Sequence, residues 1–116
     1  MFEYEFDYHP IFIKECGKVI KNCPSFEEDF KRLKNTIRAD LDIYNHKLPK
    51  KYLQVPNLNI SLPIFKFKGF YCKKGNGSDF RIIFAVDRAN NLIIFLELYK
   101  KSRKNDLDRK RIYDLI

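Results

Sequence analysis

The chain has 116 residues, 45% of them hydrophobic and 33% charged, with a formal net charge of +8. That length predicts a single domain over residues 1–116, able to bury roughly two-thirds of its unfolded surface around one core. The balance of apolar and charged residues predicts a globular, soluble chain rather than a disordered one, and no apolar run approaches the about 20 residues of a membrane span.

Phe2-Glu-Tyr-Glu-Phe-Asp-Tyr8 alternates apolar and acidic residues, the period of a half-buried strand. His9-Pro10 ends it, because proline cannot donate to a ladder. A helix is expected from Pro10, with Phe12, Cys16, Val19, Ile20 and Cys23 on one face. Pro24 cannot continue that helix but suits the first turn of the next, with Asn22 or Cys23 as cap and Glu27, Glu28 and Asp29 near the positive end of the helix dipole. The second helix should run to about Asp40. Phe26, Phe30, Leu33, Ile37 and Leu41 form its apolar stripe, and Lys31, Arg32, Lys34, Asn35 and Arg38 its solvated face.

Residues 42–63 show no period and contain Pro49, Pro56 and Pro63. They read as an irregular connection or lid, with room for one helical turn at Pro49–Leu53. Three antiparallel strands are expected next, over Ile64–Lys101. Asp87-Arg-Ala-Asn-Asn91 is the sharpest turn signal in the chain. Pairing Val86 with Leu92 sets Phe84 opposite Ile94, Ile82 opposite Leu96 and Phe80 opposite Leu98, a wholly apolar face to cover the helices. In that register Arg81 faces Glu97, and Tyr99 follows on the same side. On the first strand Phe65 and Phe67 point inward, leaving Lys66, Lys68 and Phe70 on the second face. The segment Arg103–Ile116 reads as a short amphipathic helix that docks on the sheet edge or extends toward a partner. The expected class is α+β: an N-terminal strand, two helices, a three-strand meander and a short C-terminal helix.

Charge is unevenly spread. Residues 64–104 hold ten Lys/Arg against three acids, whereas the segment before them has ten against nine and the segment after has three against three. A polyanion-binding face is the physical expectation. Lys66, Lys68, Lys73, Lys74, Lys100 and Arg103 are candidate phosphate contacts, and Phe70 and Tyr99 are candidate stacking platforms for unpaired bases. A solvated sheet face with an ordinary Arg81–Glu97 ion pair is the alternative. Gly75-Asn-Gly77 has the wrong spacing for a P-loop and reads as a turn. Cys16, Cys23 and Cys72 lack metal-ligand spacing. An odd count, with no basic segment and apolar run to mark a signal peptide, predicts reduced thiols in a cytoplasmic protein. His9 and His46 stand alone, so no zinc site, metal or cofactor is expected.

Ser78-Asp-Phe-Arg-Ile-Ile-Phe84, the turn, and Ile93-Ile-Phe-Leu-Glu-Leu-Tyr-Lys-Lys101 resemble the glycine loop, arginine-bearing strand and final strand of the RelE/ParE-like toxins of bacterial type II toxin–antitoxin modules. Phe65–Lys74 is similar to the basic strand of the HigB/RelE branch, and the element order is similar over the whole chain. The resemblance implies ribosome-dependent, metal-free cleavage of mRNA by attack of a ribose 2′-oxygen on the adjacent phosphate. It implies an antitoxin partner as well, and no membrane. Arg81 matches the arginine that stabilises transition-state charge, and Tyr99 the aromatic suited to stacking or proton transfer. Where several family members carry a histidine beside that tyrosine, this chain has Leu98 and Lys100. Lys101, amid other cations, and Glu97 are the candidate proton acceptors. The resemblance also admits a gyrase-directed, non-nucleolytic toxin, and the basic face alone admits a non-catalytic RNA-binding module.

Overall fold

The computed structural model describes residues 3–70, 72, 80–104 and 106–114. Its elements are β1 (Glu5–Tyr8), α1 (Pro10–Ile20), α2 (Phe26–Ile43), β2 (Tyr52–Gln54), β3 (Ile64–Phe70), β4 (Phe80–Asp87), β5 (Leu92–Lys100) and α3 (Arg109–Tyr113). The class is α+β, and the expected meander, β3-β4-β5, is part of a larger five-stranded sheet that β1 and β2 complete, in the order β1-β5-β4-β3-β2. β1 runs parallel to β5, and every other pair is antiparallel.

Local chemistry sets the helix ends. The His9 Nδ1 accepts the Ile11 N–H at 3.1 Å and Pro10 opens α1, where its missing N–H costs nothing. The cap of α2 is Ser25, not Asn22 or Cys23, and Pro24 stays outside the helix. α2 continues past Asp40 to Ile43 and closes when the His46 N–H reaches the Leu41 carbonyl at 2.7 Å, with Asn45 left-handed at φ 54°. That is a Schellman closure, which asparagine tolerates.

All five residues of the α2 stripe are buried, and they pack on one face of the sheet with Phe12, Phe65, Ile82, Phe84, Val86, Ile93, Phe95 and Leu98. The Phe30 ring meets Phe95 edge-on at 4.9 Å. Two residues read as solvated do structural work instead. Lys34 donates to the Tyr8 hydroxyl at 2.9 Å, and Arg38 donates to the Tyr4 carbonyl while its guanidinium lies 4.5 Å from the Phe6 ring. Both clamp β1 to α2 through cation–π and hydrogen-bond contacts.

The β4–β5 register differs from the expected one. Asp87 pairs with Leu92, Val86 with Ile93 and Phe84 with Phe95; beyond an irregularity at Leu96, Ile83 pairs with Glu97, Ile82 with Leu98 and Arg81 with Tyr99. The turn sets the first half: the Asp87 carboxylate accepts from the Asn90 backbone and side chain, and Asn91 is left-handed. Continued without interruption, that register would set Glu97 beside Ile82, inside the phenylalanine core. The bulge inserts one residue and turns Glu97 to the opposite face, a common use of such bulges.

A second irregularity, between Phe67 and Phe70 on β3, turns Phe70 under α2. Phe70 is therefore buried against Phe26, with ring centroids 5.6 Å apart, and is not on the second face. Within the connection of residues 42–63, Tyr52–Gln54 adds an edge strand to β3, held by a 2.7 Å bond from the Tyr52 hydroxyl to Asp40. The helical turn expected at Pro49–Leu53 is not formed: the Tyr52 N–H closes a tight turn on the Pro49 carbonyl, and the chain goes straight into β2.

Nor are the cysteines all reduced. Cys23 and Cys72, 49 residues apart, form a disulfide, while Cys16 is free and half-buried. Closing a loop of that length restricts the unfolded chain by about 4 kcal/mol in the loop-entropy account. Among the described residues, no helix is long and apolar enough to cross a membrane.

Candidate nucleic-acid interface

The second face of the sheet is not open. Ile64, Ile83, Ala85, Leu96 and Tyr99 form a smaller core with Leu107 and Ile112, flanked by Val55, Leu58, Ile60 and Leu62. The C-terminal segment thus docks across this face. Its short helix is α3, capped by Asp108, whose side chain accepts the Arg111 N–H at 3.2 Å.

Glu97 anchors that segment. Only 2% exposed, it accepts the Asp108 N–H at 2.7 Å on one oxygen and the Lys104 ammonium on the other. A second anchor is the ion pair of Arg111 and Glu15, at 2.7 Å. β1 stops pairing at Phe95, which leaves the edge of β5 bare beyond it. There Glu15 accepts the Leu98 N–H at 3.0 Å, and Arg111 donates to the Leu96 carbonyl at 2.9 Å. A pair of side chains thereby satisfies backbone groups that a neighbouring strand would otherwise take.

Arg81 and Tyr99 lie directly across from one another on this face, closer in register than expected. The Arg81 guanidinium also donates to the Lys68 carbonyl at 3.3 Å. Tyr99 is 7% exposed. Burial pushes its phenol up to about 12, Glu97 and Asp106 add to the shift, and Arg81 opposes it. At neutral pH the phenol is a proton donor and not an acceptor. The Lys104 ammonium stands 5.5 Å from the Tyr99 ring.

Around Tyr99 opens a cleft of about 570 Å³, lined by α1 residues Glu15, Lys18 and Val19, by Cys23 and Cys72, and by Leu98, Tyr99, Lys100, Arg103 and Lys104. Four cations, Lys18, Lys100, Arg103 and Lys104, face one acid that Arg111 already pairs. The backbone N–H groups of Arg103 and Lys104 both reach the Lys100 carbonyl, which folds the basic run Lys100–Lys104 into a tight turn at the cleft mouth.

Of the residues singled out from sequence, Tyr99, Lys100 and Arg103 meet in this cleft. Lys101 is exposed in the same turn, outside the lining. Lys66 lies on β3 and pairs with Asp106 at 3.6 Å, and Lys68 is exposed further along that strand. Lys73 and Lys74 fall outside the described residues. Lys18 and Lys104 were not singled out. Lys104 belongs to a visible basic run, but nothing in the spacing of α1 marks Lys18.

No family model, no curated protein and no solved structure matches this chain.

Proposed function

We propose that this chain is a RelE/ParE-like toxin that cleaves mRNA on the ribosome, with the RNA backbone seated in the cleft at the end of β5. The observation that carries the reading is that Lys18, Lys100, Arg103 and Lys104 line one cleft with Tyr99, whose strand partner Arg81 lies beside it on β4, outside the lining. The order of strand, two helices, meander and short helix supports it too, with β2 as an added edge.

In this reading the 2′-hydroxyl attacks the adjacent phosphorus. The 2′-oxygen–phosphorus bond forms, the phosphorus–5′-oxygen bond breaks, and a 2′,3′-cyclic phosphate and a 5′-hydroxyl result. Arg81 and the cleft cations offset the charge of the phosphorane. Tyr99, protonated at neutral pH, is suited to donate to the departing 5′-oxygen. Glu97 has both oxygens engaged, so its part is to position Lys104 and the C-terminal segment. The 2′-hydroxyl proton is assigned to Lys101, the remaining candidate base, acting as the neutral amine from the turn beside the cleft. An acidic, partly disordered antitoxin segment is the partner that the charge of this face fits. Cytoplasmic residence follows from a ribosomal substrate.

The test is transcript mapping on programmed ribosomes. Wild type is expected to cut mRNA, and Arg81→Ala to lower the rate by about 100-fold, the effect of removing one charge-stabilising donor. Wild type that binds ribosomes yet leaves transcripts intact would refute the nuclease. The occupied oxygens of Glu97 favour a second reading, a non-catalytic RNA-binding module. There Arg81→Ala weakens RNA binding and no cut appears for either protein.

A further inference from the structure

Cys23, in the turn before α2, Asp29, in the first turn of α2, and Cys72, just past β3, are all buried. Their donor atoms lie within 4.8 Å of one another. The Ser25 hydroxyl binds them together: it donates to Asp29 Oδ2 at 2.7 Å and lies 3.9 Å from Cys23 Sγ and 3.7 Å from Cys72 Sγ.

The Asp29 carboxylate is held by Ser25 and Arg32 at the start of α2, beside the two sulfurs. In the disulfide those sulfurs carry no charge and no proton. Two thiolates with a carboxylate are, by contrast, a donor set for a thiophilic divalent cation, at about 2.3 Å from sulfur and 2.0–2.2 Å from oxygen. The Cα–Cα distance of 5.8 Å lets both sulfurs reach one ion once the bond between them opens. The net charge of −1 left on such a centre would sit at the N-terminus of α2, with Arg32 3.3 Å from Asp29. Approach is available from two sides. The cysteines line the 570 Å³ cleft, and Asp29 lines a separate 210 Å³ cleft with Arg32, Thr36 and Phe67.

We propose that Cys23, Cys72 and Asp29 form a zinc-type site in the reduced protein, mutually exclusive with the disulfide. A dithiol reductant supplies two electrons and two protons to the S–S bond and becomes a disulfide itself. The cation then displaces both thiol protons and takes two sulfurs, one carboxylate oxygen and a water. The proposal is independent of the RNA reading.

The test uses the 116-residue chain carrying Cys16→Ser, so that no third thiol competes. It is reduced anaerobically with a phosphine, desalted and titrated with Co²⁺. Expected are one equivalent bound, thiolate-to-cobalt charge-transfer bands with intense four-coordinate visible bands, and their loss on adding Zn²⁺. The oxidised protein should take up none. Asp29→Asn should weaken Co²⁺ binding by at least about tenfold while keeping the charge-transfer bands, and Cys72→Ser should abolish them. A folded, reduced protein without those bands overturns the site, and unchanged affinity in Asp29→Asn overturns the three-ligand set. Should reduction unfold the chain, Zn²⁺ restores its circular dichroism if the site exists, and failure to do so counts equally against it.

Discussion

The two faces of this sheet are closed by different means. One is covered by α1 and α2 through stacked and edge-on aromatic rings, with Phe12, Phe30, Phe84 and Phe95 at its centre. The other is covered by residues 106–114, with Val55, Leu58, Ile60 and Leu62 at its flank, and the C-terminal residues bring few apolar side chains and hold on through Glu97 and through the Arg111–Glu15 pair. Apolar packing is additive and forgiving of direction. Buried charge pairs stabilise little against an apolar substitute, but they fix one geometry and are costly to halve. The aromatic face therefore carries the stability, and the ionic face sets where the basic turn at Lys100–Lys104 sits.

The contrast can be broken at its strong side first. Phe84→Ala removes a fully buried ring from the aromatic face and is expected to cost about 3–5 kcal/mol in urea unfolding. On the ionic face, Glu97→Leu leaves the Lys104 ammonium and the Asp108 N–H without their acceptor. A loss of about 3 kcal/mol is expected, the lower end for a halved buried pair because Lys104 is partly exposed. The two variants should also differ in kind. Hydrogen exchange should rise throughout the sheet in Phe84→Ala, but mainly in residues 106–114 in Glu97→Leu. Uniform exchange in both would erase the distinction.

The finest test is Tyr99→Phe, expected to change little at neutral pH. The phenol titrates near 10 in an unfolded chain and at about 12 in the fold. Folding thus favours its protonated form. The stabilisation is fully present below pH 10 and is lost as pH rises toward 12, with a slope of at most about 1.4 kcal/mol per pH unit. Alkaline unfolding of Tyr99→Phe should be shallower by that share. An unchanged alkaline limb would place Tyr99 in solvent.

The parts legible from sequence are those where period and burial coincide. The α2 stripe reads cleanly because five apolar side chains recur at helical spacing and all five meet the sheet. β4 and β5 read as strands, but their register does not, because a straight ladder maximising apolar pairs ignores the bulge that expels Glu97 from the core. The same applies at Phe70, whose side is set by a β3 irregularity with no sequence mark. β2 escapes notice because three residues between prolines carry no period. In the cleft, Tyr99, Lys100 and Arg103 lie within one five-residue stretch and read together, while Lys18 arrives from α1 by tertiary packing alone. The Cys23–Cys72 pairing spans 49 residues and depends on where β3 ends relative to α2, which spacing cannot express.

The parallel pairing of Glu5–Tyr8 with Leu92–Phe95 joins residues 87 positions apart. A nascent chain emerging from the ribosome therefore makes its first strand long before the neighbour that strand must lie beside. Until Leu92–Phe95 is synthesised, α2 presents its five apolar side chains with much of their cover missing. Assembly waits until that segment has been made, when long-range closure makes it slow, and the waiting surface is one that chaperones engage.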